Sequence, residues 1–205
     1  MITAIEALER LREGNRRFAA MAANVDGYLS RRRREELAAG QAPIAIVLGC
    51  SDSRVPVEIV FDQGFGDLFV IRVAGNVVQP SQVGSVEFAA EQFGTRLVVV
   101  LGHTRCGAVQ ATLDQLQRPG DQQSRGLRSI VDRIKPSVQG LLATELVHDP
   151  ERLEHEAMRQ NVRASVTALR AGSDLLDRLC AEDGLLIVGA EYSLDTGEVS
   201  FLDGA

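Results

Sequence analysis

The chain has 205 residues, 45% of them hydrophobic and 24% charged, the profile of a globular fold with a sizeable core rather than of a disordered segment. Its net charge of −6 argues against nucleic-acid phosphates or an anionic membrane as partners. Three cysteines without a framework spacing, behind an N-terminus interrupted by Glu6, Glu9 and Glu13, point to a reducing, cytoplasmic setting in which thiols serve metal binding or catalysis.

Ala4, Leu8, Leu11 and Phe18 share one helical stripe, so the first twenty residues are expected to form an amphipathic helix. Ser30 can cap a second short helix to Leu37 that stops at Gly40 and turns the basic run Arg31 to Arg34 toward solvent. Ile44 to Leu48 is a continuous apolar run, too short to span a membrane and typical of a strand covered on both faces. Leu68 to Ile71, Leu97 to Leu101 and Leu185 to Val188 are three more. The last continues through Tyr192 to a turn at Asp195-Thr196-Gly197 and a short return strand, Val199 to Leu202, read as an edge hairpin. Between the strands, helices are expected over Ser85 to Phe93 and Gly107 to Leu116, then from Asp149-Pro150 to about Gly172, and over Ser173 to Ala181. Strands alternating with helices imply an α/β fold. Its mostly parallel, doubly wound sheet has about four parallel strands plus an antiparallel C-terminal edge strand, in one domain over residues 1–205.

In such sheets a ligand site lies beyond the carboxyl ends of the strands, where strand order reverses. Two strands run directly into metal-capable residues there, one into Gly49-Cys50-Ser51-Asp52-Ser53-Arg54 and another into Gly102-His103-Thr104-Arg105-Cys106-Gly107. If these strands are neighbours, Cys50, His103 and Cys106 converge. Two thiolates and an imidazole suit zinc, and three protein ligands leave a fourth position for water. On spacing alone the trio is a weak signal, also readable as buried thiols and a satisfied core histidine. Asp52 can orient a metal-bound water or occupy the fourth position itself, and Arg54 can hold Asp52 in a charge-assisted pair. A turn aspartate in an ordinary ion pair is the plain alternative. His148 and His155 read as surface residues, and Cys180 as a small core hydrophobe.

Cys50-Ser51-Asp52-Ser53-Arg54-Val55 together with Gly102-His103-x-x-Cys106-Gly107 resembles the signature of the β-class carbonic anhydrases. Leu11 to Phe18, Asn161 to Val166 and Ile187 to Gly197 extend the similarity along nearly the whole chain. The resemblance, closest to the plant-type branch, implies one zinc per subunit on Cys50, His103 and Cys106, gated by an Asp52–Arg54 dyad. The implied reaction is reversible hydration of carbon dioxide to bicarbonate and a proton. It also implies a homodimer or dimer of dimers with the site at the dimer interface. There, helices of a 1–40 arm would extend onto a partner subunit from a 41–205 zinc core. Gln41, Phe69 and Gly107 match substrate-pocket positions of that family. Phe88 stands where a tyrosine is usual, Ala74 stands at a usual valine, and Val47 replaces the tryptophan of an inhibitory bicarbonate site. The same scaffold also serves hydrolysis of carbonyl sulfide or carbon disulfide. A third reading is a zinc-stabilised regulatory protein with Asp52 as permanent fourth ligand.

Overall fold

A computed structural model describes residues 2–23, 35, 37–118 and 124–202. The basic run Arg31 to Arg34, and the helix expected from Ser30, lie outside the described residues except for Glu35 and Leu37, which are helical. Helix α1 (Ala4–Ala19) begins at Thr3 in a capping box: the Thr3 hydroxyl accepts from the Glu6 N–H, and the Glu6 carboxylate accepts from the Thr3 N–H at 2.7 Å. Strand β1 (Ala45–Gly49) follows, then a single helical turn, α2 (Val57–Val60), and β2 (Leu68–Arg72). Next come α3 (Pro80–Gln92), β3 (Leu97–His103), α4 (Gly107–Gln117) and α5 (Arg125–Val138). Helices α6 (Pro150–Ala171) and α7 (Asp174–Glu182) precede β4 (Leu186–Tyr192) and β5 (Val199–Phe201).

The sheet order is β2-β1-β3-β4-β5, with the first four strands parallel and β5 antiparallel to β4, as the sequence pattern predicts. The chain passes from β1 outward to β2, then crosses over β1 to β3, so strand order reverses between β1 and β3. The β-branched runs alternate their side chains between two cores. Ile46, Leu48, Val98, Val100 and Ile187 pack under α3 to α7. Ala45, Val47, Val99, Leu101 and Val188 pack under α1 and α2, where Ala7, Leu8 and Leu11 are buried. Within this chain, α1 therefore covers its own sheet.

Three differences from the sequence reading have physical causes. Helix α3 starts five residues before Ser85, because Pro80 sits in the first turn where its missing N–H costs nothing. The unforeseen α2 is one turn bridging the metal loop and the approach to β2. Helix α5 was not expected either. Ser124 caps it, accepting from the Leu127 N–H, and Pro136 lies in its last turn, masking the stripe of Val131, Ile134 and Val138. Helix α6 crosses β3 so closely that a Cβ on Gly102 would lie 2.5 Å from Val162 Cγ2 and 2.8 Å from Met158 Sδ. That close crossing fixes the strand that delivers His103.

Candidate metal centre

Cys50 follows β1, His103 ends β3, and Cys106 caps the N-terminus of α4, so all three stand at the reversal point between β1 and β3. Their candidate ligand atoms lie within 4.8 Å of one another, all three residues are buried, and among the described residues this is the one such group. The His103 Nδ1 faces the Thr104 carbonyl at 2.9 Å, which fixes the ring so that Nε2 points at the thiols. That buried Nε2 has no hydrogen-bond partner. A buried, unpaired ring nitrogen is costly unless something else occupies its lone pair. Two sulfurs and an imidazole nitrogen form a donor set for zinc, so the residues fit the ion expected from the sequence.

Without a metal, the two thiols share one negative charge, held mainly on Cys50. Hydrogen bonding from the Cys106 thiol lowers the Cys50 pKa, with help from the Gly75 N–H, against the opposing effect of burial. Cys106 is correspondingly pushed up, because the Cys50 sulfur shares its proton and burial disfavours a second thiolate. Burial is the largest single influence on His103 and works to lower its pKa, but Cys50, the Thr104 carbonyl and the Asp52 charge together outweigh it and the net direction is upward.

Asp52 stands beside the trio, its Oδ2 3.9 Å from His103 Nε2. Arg54 grips it with both arms of the fork, Nε to Oδ1 at 2.9 Å and Nη2 to Oδ2 at 2.7 Å, and the Arg54 N–H adds a third bond to Oδ1. The guanidinium holds the Asp52 carboxyl well below the usual carboxylate range.

The surrounding frame was not foreseen. Arg72, at the end of β2, donates from Nε to the Cys50 carbonyl at 2.9 Å and from Nη2 to the Asp52 carbonyl, clamping the first metal loop. The Gly75 N–H donates to Cys50 Sγ at 3.3 Å. Gly75 has φ 68°, a backbone that glycine adopts freely. From α6, Asn161 Nδ2 donates to the Gly75 carbonyl at 2.8 Å and the Ser165 hydroxyl to the Asn76 carbonyl at 3.0 Å. The available signal was a polar pair, Asn161 and Ser165, at helical spacing on a face otherwise apolar.

The substrate-pocket candidates are distributed differently. Gly107 starts α4 next to Cys106, and Ala74 opens the short turn that carries Gly75. Gln41 is exposed on the approach to β1. Phe69 pairs with Ile46 in the sheet register, four residues before Cys50, or about 13 Å along the strand direction. Phe69, Phe88 and Phe93 instead form an aromatic cluster with centroids 5.7–6.2 Å apart, and Phe88 is 52% exposed. His155 is partly exposed and bonds Glu191, while Cys180 packs partly buried against the core.

A parallel α/β sheet with two thiols and an imidazole meeting at its reversal point marks a candidate metal site on an α/β-class fold. The profile of the family described as carbonic anhydrase matches residues 45–199, and the chain belongs to that family, in its β class. Carbonic anhydrase 2 of Mycobacterium tuberculosis is 40% identical over 204 residues, covering 97% of this chain and 93% of that protein. The crystal structure of a β-carbonic anhydrase of Aspergillus fumigatus superposes with a TM-score of 0.75 at 29% identity, covering 93% of this chain and 88% of that one. A tetrameric β-carbonic anhydrase of Sordaria macrospora shares the fold with a TM-score of 0.74 at 24% identity, covering 97% and 98%. The family reaction is hydration of carbon dioxide. Among the described residues no helix is long and apolar enough to cross a membrane.

Proposed function

We propose that the chain catalyses reversible hydration of carbon dioxide at one zinc held by Cys50, His103 and Cys106, with Asp52 and Arg54 controlling the fourth coordination position. The observation that carries this is the convergence of the three donor atoms within 4.8 Å around a buried, unpaired Nε2. When bound there, zinc supplies the Lewis-acid strength that makes water nucleophilic near neutral pH.

The protein's own residues then set the geometry. Asp52, ionised and fixed by Arg54, accepts the proton side of the attacking water and turns its lone pair toward the substrate carbon. Released from Arg54, the same carboxylate, 3.9 Å from His103 Nε2, would be the group to take the fourth position and close the site. The Gly75 N–H and the Arg72 clamp keep Cys50 in place through either state.

Gln41, Phe69 and Phe88 lie away from the trio within one chain, which supports a pocket completed across a subunit interface. The exposed rings of Phe65 and Phe88 fit burial in such a contact. The proposed assembly is a homodimer or dimer of dimers in the cytoplasm. Residues 41–205 form the zinc core; α1 packs on this chain's own sheet, and the remainder of the 1–40 arm is assigned to the partner contact.

Stopped-flow hydration with a zinc count on Cys50→Ala and His103→Ala tests the site. Both variants are expected to lose metal and activity, and full hydration by either overturns the assignment. Turnover measured side by side on carbonyl sulfide distinguishes the substrate, with preference for the sulfur compound contradicting the proposal.

A further inference from the structure

We propose that Arg105 and Asp195 are positioning residues for the Asp52–Arg54 dyad, holding the carbonyl that captures Arg54 and so keeping Asp52 off the metal position. This rests on the gating role proposed above.

Arg105 lies inside the second metal loop, between His103 and Cys106, and its φ of 54° places a non-glycine residue in the left-handed region. Such a backbone needs external anchoring. The hairpin turn between β4 and β5 supplies it. The Thr104 N–H donates to the Tyr192 carbonyl at 3.0 Å, and the Leu194 N–H donates to the Thr104 hydroxyl at 3.0 Å. The Arg105 Nη2 reaches both Asp195 oxygens, at 2.7 and 2.6 Å. Both residues between the two ligands are thus tied to a turn some ninety positions later in the chain.

The consequence appears at Arg54. Its Nη2 donates to the Arg105 carbonyl at 3.1 Å while also donating to Asp52 Oδ2 at 2.7 Å. One nitrogen therefore spans the carboxylate and the metal loop. If the loop carbonyl drifts, Arg54 loses its only anchor outside Asp52 among the described bonds. Asp52 Oδ2, 3.9 Å from His103 Nε2, then moves more easily into the coordination sphere. The Arg105 and Asp195 side chains are 62% and 56% exposed, so the pair is screened and its effect on the gate is a few-fold rather than absolute.

A small anion competing with Asp52 for the fourth position reads the gate directly. Thiocyanate is titrated into the cobalt-substituted protein at fixed pH and salt, following the visible d–d bands, with cobalt content measured for every variant. Asp195→Asn is expected to weaken thiocyanate binding about threefold at full metal loading. Arg105→Gly, which keeps the left-handed backbone and removes the guanidinium, is expected to weaken it equally. The double variant should add nothing further, and Asp195→Glu should restore the parent affinity. Arg54→Ala should weaken binding more than tenfold. If Asp195→Asn and Arg105→Gly both bind thiocyanate like the parent while Arg54→Ala does not, the positioning role is overturned and the gate stands. If Arg54→Ala also binds like the parent, the gate itself fails and the inference falls with it.

Discussion

Replacing Gly75 with alanine perturbs the metal site from behind, through a residue that touches no metal. Gly75 sits at φ 68°, where an L-residue costs about 1–2 kcal/mol. The added Cβ would lie 2.8 Å from Ile134 Cδ1 and 3.0 Å from Ala108 Cβ. Ile134 can rotate its terminal methyl away. Ala108 has no such freedom, being fixed in the first turn of α4 two residues after Cys106, so the turn itself must back away at a further cost of about 1 kcal/mol. Together this amounts to about 2–3 kcal/mol. The movement also lengthens the bond from the Gly75 N–H to Cys50 Sγ, now 3.3 Å. Losing an outer partner of a metal ligand typically weakens metal binding ~10–100-fold. We expect at least tenfold weaker zinc binding in competition with a chromophoric chelator, with a stability loss of about 2–3 kcal/mol in urea unfolding of the metal-free protein. Zinc affinity within twofold of the parent would refute the role of this N–H. Unchanged stability would refute the packing argument.

The surrounding frame yields further expectations. Asn161→Leu leaves the Gly75 carbonyl without its buried donor and should cost about 1–3 kcal/mol by urea denaturation. It should weaken zinc in the same direction as Gly75→Ala. Arg72→Met keeps the apolar stem of the side chain but removes both bonds to the Cys50 and Asp52 carbonyls. It should destabilise the protein by about 1–2 kcal/mol and lower kcat in the stopped-flow assay more than it raises KM. Gly102→Ala drives a methyl into Val162 and Met158 and should cost about 1–3 kcal/mol, recovered in part by pairing it with Val162→Ala. Strict additivity in that pair would mean the two residues do not share the space described.

Much of the fold is written locally. Strands β1, β3 and β4 appear as apolar runs because both faces of the sheet are covered there. Strand β2 is an apolar run that the sheet edge leaves only partly buried, and the edge hairpin appears through Asp195-Thr196-Gly197. The metal residues were legible for a related reason: Cys50 and His103 stand where apolar runs stop at the reversal point, and Cys106 follows at the start of the next helix. What escaped were features set by neighbours distant in sequence. The stripe of α5 is interrupted by Pro136 and becomes coherent only against the core it covers. Arg72, Asn161 and Ser165 act by donating to main-chain carbonyls that other segments bring to them. Such bonds depend on loop shape, which side-chain periodicity does not encode. Arg105 is the clearest case, since its left-handed backbone and its link to Asp195 exist only once the second metal loop meets the hairpin.

X-ray absorption at the zinc edge of the purified protein, slightly above neutral pH, bears most directly on the metal and its three protein donors. The expected result is one zinc per chain surrounded by two sulfur, one nitrogen and one light oxygen donor, with sulfur lost from the shell in Cys106→Ala. A shell of four protein sulfur and nitrogen donors, or one that Cys106→Ala leaves unchanged, would contradict it.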